Sequence, residues 1–474
     1  MVEVHSRNVK VFYSYSNADR SLRDELAKHL GRVHISSFTD QEIPPGANWR
    51  DKIDYELNQA DIILLLVSAD FLHSEFCNNV EVKKALERHE AGTARVIPVI
   101  LRKVYWQDAP FSGLQVLPPG GKPVTSWSDP DEAFYQVAQG IRKVIGDFLK
   151  QHYIQDAEDC LKQKQLESAL GAYQKAIDLM EGTSTLEADP ALYKKQGDVL
   201  VDLQRFEEAL AAYDAAIGLA PETFNLYLDK GQIFFRLGRL DEALRMYDEA
   251  IRSTPPHAAL HVGRGDVLFK QRRFAEALEA YDRASQLNTH DPSILQSKGN
   301  VLFHLNRLPE ALETYNRALR RDSGRVDFYI SKGDVLFLMR NYQEAIRVYD
   351  EALKLDEGSS QIWRNKGKAQ NNIHEFNDAI LSYEHAISLD NENPFLYKEM
   401  GDIFSALGRL EEALAAYDDA VNLKSDYISA YLSVARVCEV LAKQAYLKLH
   451  ERGEQARKKA EELRKKAEES RTPN

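Results

Sequence analysis

Glycine returns at a fixed interval through most of this chain: Gly197, Gly231, Gly265, Gly299, Gly333, Gly367 and Gly401 stand 34 residues apart. Twelve residues beyond each is an alanine, from Ala209 to Ala413, and four further on a tyrosine, from Tyr213 to Tyr417. A strict period of this length specifies stacked supersecondary units, each burying its apolar face on its neighbours. The unit reads as a helical hairpin. Glycine and alanine fall where two helix backbones approach too closely for larger side chains, and tyrosine fills the space between them. Val199, Leu200 and Leu203 supply apolar residues at helical spacing. Turn material reads LGR, QRR or LNR, and Pro221 and Pro255 end their second helices.

This small–aromatic–proline pattern and its period resemble the tetratricopeptide (TPR) family, which implies an α-solenoid. A degenerate unit with Ala157, Ala169 and Tyr173 precedes the array, and Ala435 takes the glycine position after it. About eight hairpins are therefore expected over residues 151–426. The charged segment 427–474 reads as a solvating cap, with a partner-binding coiled coil as its alternative. Two stripes fall on the first helices. One is Phe235, Phe269, Phe303 and Phe337; the other is Asp198, Gln232, Asp266, Asn300, Asp334 and Asp402, broken by Lys368. They suggest a groove for an unidentified basic peptide or protein, against the plainer reading of ordinary packing positions.

Residues 1–150 follow a different rule. Short apolar runs at 9–15, 33–38, 62–67, 95–101 and 122–127 alternate with helical patterns at Asp19–Leu30, Trp49–Ala60, Asn79–Ala91 and Pro130–Leu149. Five such strands predict a doubly wound, flavodoxin-like parallel sheet, with order 2-1-3-4-5 as the common solution. A ligand site is then expected where the order switches, at the carboxyl ends of the first and third strands.

FYSYSNADR (12–20), TDQEIPPGANWRDKI (39–53), LLVSADFLHSEFCNNVEVKKAL (65–86), VIPVILRKVYW (96–106) and GKPVTSW (121–127) together resemble bacterial Toll/interleukin-1 receptor (TIR) domains. The second segment is similar to their BB loop, with Asp40, Pro44, Pro45, Gly46 and Trp49. Enzymatic members cleave NAD between nicotinamide and ribose with one glutamate. The resemblance assigns that role to Glu81, although Phe76 stands where many members have tryptophan and one extra residue separates Cys77 from the glutamate. Glu75 is the backup. Tyr13, Phe76 and Trp106 are expected to wall the nicotinamide, Ser14 to orient ribose or phosphate, and Ser68 to line the crevice. The implied function is an NAD glycohydrolase, NAD being substrate and no cofactor being needed. The TPR array would govern it by sensing or self-association, with antiviral defence as an extension. A noncatalytic adaptor and a maker of a cyclic ADP-ribose-type messenger are the alternatives. Self-association with other TIR domains is implied in each case.

Formal charge is −12, from 61 basic and 73 acidic residues, which repels phosphate backbones and makes nucleic acid an unexpected partner. Cys77, Cys160 and Cys438 make no disulfide framework or metal pair, and the 13 histidines show no ligand spacing, so no metal is expected. The run Ile62–Val67 is far short of a membrane span. With no apolar leader in MVEVHSRNVK, the reading is cytoplasmic. LPPGGKPVTS (117–126) lacks the glycine spacing of a phosphate loop and reads as a turn.

Overall fold

The computed structural model describes residues 8–31, 35–38, 49–74, 81–182 and 186–469. The chain divides into two compact units, Met1–Leu237 and Gly238–Asn474.

The first unit opens with an α/β domain. Strands β1 (Val9–Ser14), β2 (Ile35–Phe38), β3 (Ile62–Val67) and β4 (Arg95–Ile100) form one parallel sheet in the order β2-β1-β3-β4. Every residue of β3 is buried, as a central parallel strand covered on both faces requires. Helices α1 (Arg20–Leu30), α2 (Trp49–Gln59), the short α3 (Ala69–His73), α4 (Val82–Glu90) and α5 (Pro130–Lys162) connect and cover it.

Among the described residues the sheet has four strands, not the expected five. Residues 122–127 instead hold a single 3-10 turn, Val124–Ser126. Gly120 and Gly121 have positive φ (81° and 70°) and bend the chain away, and Pro123 has no N–H to give a ladder. What remains of the edge is one parallel bridge between Val99 and Leu117, and the Thr125 amide donating to the Leu101 carbonyl at 3.1 Å.

Helix α5 begins as its sequence directs, with Asp129 accepting from the Asp131 amide at 3.0 Å and Pro130 in the first turn. It then continues well past residue 149. Nothing between Leu149 and Ala157 breaks the helix, and Tyr153 and Ala157 keep its buried face running. Residue 150 thus lies inside one rod, which packs on α1 and pairs with α6 (Leu166–Glu181). Also in this unit, α7 (Pro190–Asp202) pairs with α8 (Phe206–Leu219), and α9 (Phe224–Arg236) packs on α8.

The second unit holds α10 (Leu240–Ser253), α11 (Ala258–Lys270), α12 (Phe274–Leu287), α13 (Pro292–His304), α14 (Leu308–Arg321) and α15 (Val326–Leu338). It continues with α16 (Tyr342–Leu355), α17 (Ser360–Asn372), α18 (Phe376–Leu389), α19 (Pro394–Ala406), α20 (Leu410–Leu423) and the long α21 (Ile428–Glu469). Each helix from α11 to α20 packs on the helices before and after it, so this unit is a stack of antiparallel hairpins. The glycine rule has a direct cause: a Cβ at Gly299 would lie 2.6 Å from the Tyr315 ring, and one at Gly401 2.7 Å from Tyr417. No helix among the described residues is long and apolar enough to cross a membrane.

Candidate functional site

The order β2-β1-β3-β4 puts the switch point between β1 and β3. Along β1, alternation gives Phe12 and Ser14 one face and Tyr13 the other. Phe12 packs in a core with Ile53 and Leu57 of α2 and Val82 and Ala85 of α4. Ser14 faces the same way, and its hydroxyl donates to Glu81 Oε2. Glu81 directly precedes α4 and is only 5% exposed. Burial pushes its carboxyl up to about 7, against the pull of the Ser14 hydrogen bond and with a further push from Asp54 on α2. The amides of the α4 N-terminus favour the charged form; burial outweighs them. The result is a carboxyl poised between its two protonation states at neutral pH.

Other expected residues go elsewhere. Tyr13 is buried on the opposite face, where burial raises its hydroxyl to about 12 despite the nearby Arg23. It does not wall the carboxyl. Ser68 caps α3 by accepting from the Phe71 amide at 3.1 Å and donates its own hydroxyl to Asp19. Asp19 also receives Arg102 Nε at 2.6 Å, which ties the ends of β1, β3 and β4 together. Ser68 therefore braces the strand ends. Trp106 packs half-buried against the core and over Gly121, where a Cβ would come within 2.9 Å of its ring. Trp49 starts α2. Glu75, Phe76, Cys77, Asp40, Pro44, Pro45 and Gly46 lie outside the described residues.

Reading the residues alone missed three contributors: Asp54, whose charge acts on Glu81 while it pairs with Lys84 at 3.3 Å, and the Asp19–Arg102 pair. Asp19 was visible as the acidic start of α1. Nothing local marks Asp54, whose role depends on where α2 crosses α4.

In the array the polar stripe has partners. Tyrosine hydroxyls donate to Asp198 at 2.7 Å, Asp266 at 2.5 Å, Asn300 at 2.6 Å, Asp334 at 2.7 Å and Asp402 at 2.8 Å, each from 15 residues downstream. Where Lys368 breaks the series, it pairs with Glu399 at 3.2 Å, and Tyr383 bonds to Glu399 as well. The tyrosine contacts join the two helices of one hairpin, those of Glu399 join α17 and α18 to α19 of the next, and these groups are not a free acidic lining. A second ladder joins successive hairpins: Arg264 to Asp248 at 2.7 Å, Lys298 to Asp282 at 2.6 Å and Lys366 to Asp350 at 2.7 Å. The aromatic stripe stays partly open in the second unit. A cleft of about 200 Å³ lies between Phe269 and Phe303, and one of about 230 Å³ between Phe303 and Phe337, the latter with Lys368 at its edge. Phe235, in the first unit, is half-buried.

Comparison with known proteins decides the family. A TIR-domain family model matches residues 11–134. Tetratricopeptide-repeat models match 194–258, 228–293, 262–326, 326–359 and 401–437. The chain is a TIR domain followed by TPR repeats. A relative in Sinorhizobium fredii, the uncharacterized protein y4lF, is 48% identical over 140 residues, which is 29% of this TIR–TPR chain and 43% of the relative's length. Among solved structures, the C-terminal part of a TPR repeat-containing protein from Cytophaga hutchinsonii aligns with 51% of the chain and 98% of its own length, at 14% identity and TM-score 0.44. YrrB, described as a TPR protein with an unusual peptide-binding site, aligns with 39% of the chain and 93% of its own length, at 26% identity and TM-score 0.34.

Proposed function

We propose that the TIR domain is an NAD glycohydrolase with Glu81 as its catalytic carboxylate. The observation that carries this is the setting of that side chain: buried at the switch point of a parallel sheet, hydrogen-bonded by Ser14, and raised to about 7. A surface glutamate beside Lys83 and Lys84 would have none of these features.

The chemistry asks for little more. In NAD the pyridinium nitrogen is already cationic. When the bond from that nitrogen to C1′ of the ribose breaks, the electron pair stays on nitrogen and neutral nicotinamide leaves without an acid. Positive charge then develops on C1′ and the ring oxygen. A carboxylate in a dry site stabilises that charge and holds the ribose hydroxyls more strongly as it grows. Water adds to C1′ and loses a proton, giving ADP-ribose. The incoming pyridinium draws Glu81 into its charged form, so substrate binding itself prepares the catalyst. Ser14 is the positioning residue that fixes the carboxyl's rotamer. The TPR array, with its open clefts along Phe269, Phe303 and Phe337, is the part suited to receiving a protein or peptide signal.

Purified protein incubated with NAD should release nicotinamide, and Glu81→Ala should abolish release with the fold intact. Activity that persists in Glu81→Ala would overturn the site. Absence of turnover at any concentration would leave the adaptor, and a cyclised product in the mass spectrum would identify a messenger-producing enzyme.

A further inference from the structure

The last helix departs from the rule that governs the hairpins before it. Ala435 stands 34 residues after Gly401, at the glycine position. The first part of α21 packs as a first helix does: Ala430 and Val437 are buried, with Val434 and Leu441 packed on the core that α20 shares. In a complete hairpin a left-handed residue then sends the chain back, as Gly408 does at φ 74° between α19 and α20. In α21 the chain runs on as one helix to Glu469.

The second-helix signature is nevertheless present. Ala413, Ala416 and Tyr417 of α20 recur as Ala442, Ala445 and Tyr446. They come 29 residues on instead of 34, five short, which is the length a turn would use. One straight helix thus carries both halves of a hairpin in line. A straight helix cannot bring its own two halves together.

The consequence is an uncovered apolar stripe. Ile428, Leu432, Ala435, Glu439, Ala442, Tyr446 and Leu449 follow at alternating spacings of four and three, the spacing of a coiled-coil seam. By helical periodicity they lie away from Val434 and Val437, the side packed on the core. Ile428, Leu432, Tyr446 and Leu449 are 74%, 63%, 67% and 69% exposed. Cys438 is exposed at the place where α19 buries Phe404.

We infer that α21 pairs antiparallel with α21 of a second copy of this chain, the first-helix half of each receiving the second-helix half of the other. Self-pairing follows because both complementary halves sit on the same helix, and a two-fold axis satisfies both at once. Setting Ala435 against Tyr446, as Gly401 is set against Tyr417, fixes the register. Leu432 then meets Leu449, Ile428 meets Gly453, and the axis passes between residues 440 and 441. Glu439, the one charged group in the stripe, comes beside Lys443 of the second copy, and a polar pair in a seam holds its register. Alanine in place of glycine at 435 sets these helices slightly further apart than a hairpin's. The pairing does not depend on the TIR domain being an enzyme.

Sedimentation velocity on the full chain at micromolar concentration should show a dimer. Tyr446→Glu and Leu432→Glu should each weaken it on the order of 100-fold with circular dichroism unchanged, since both side chains are exposed. Glu439→Lys should weaken it on the order of tenfold, and adding Lys443→Glu should restore it. A wild-type monomer, or a dimer that Tyr446→Glu and Leu432→Glu both leave intact, would overturn the pairing.

Discussion

Glu81 shows how a single side chain can weaken its own fold. In the unfolded chain it titrates at the usual carboxylate value, 4.5, and in the folded domain at about 7. Between those values the folded state holds the extra proton, so the contribution of Glu81 to stability is greatest below 4.5 and is lost as pH rises to 7. Two and a half pH units correspond to about 3 kcal/mol. Glu81→Gln keeps an acceptor for Ser14 and carries no charge. It should therefore protect β1 and β3 amides from hydrogen exchange better than wild type at pH 8, by up to about 3 kcal/mol, with the difference vanishing near pH 4. The proposed activity should run the opposite way. kcat/KM for NAD should rise with pH about a midpoint near 7, and the kcat midpoint should lie lower because bound pyridinium favours the carboxylate. Family resemblance pointed to this residue. Its burial and its neighbour Asp54 were not legible, because both depend on how α2 and α4 cross over the sheet.

Between the two helices of a hairpin, the chain must turn through one left-handed residue. Glycine does this at Gly238 and Gly408, but Arg272, Asn306, Arg340 and His374 do it at φ 57–63°. A side chain there costs about 1 kcal/mol. Arg340→Gly should accordingly stabilise the second unit by about 0.5–1 kcal/mol in a urea titration. Tyr349→Phe should cost about 1–2 kcal/mol by the same measurement, since it strips Asp334 of its hydroxyl donor. Asp282→Ala, which breaks one ion pair with the half-buried Lys298, should cost about 1 kcal/mol. These elements were legible because each obeys a local rule repeated seven times: a small residue, a second small residue, an aromatic. The expected fifth strand failed for the converse reason. PVTSW alternates suitably, but two glycines with positive φ and a proline redirect the chain before a ladder can form, and a window of six residues does not reveal its approach angle.

For the molecule as a whole, the paired last helices and the TIR site make a joint prediction. If the site works only in assemblies, as resemblance to enzymatic TIR domains implies, nicotinamide release per protein should climb with concentration in wild type and lag in Tyr446→Glu, although Tyr446 lies far along the sequence from Glu81. Equal specific activity for both proteins would separate catalysis from dimerisation. One mechanical consequence remains, and it concerns α5. Because Pro130–Lys162 is an unbroken rod whose start covers the sheet and whose end forms the first hairpin, no joint lies where the two architectures meet. Inserting one residue near His152 would turn everything downstream by about 100° and shift it about 1.5 Å. Any signal that passes from array to sheet along this shaft should respond to such insertions with the screw periodicity of the helix, whereas a floppy tether would be indifferent to them.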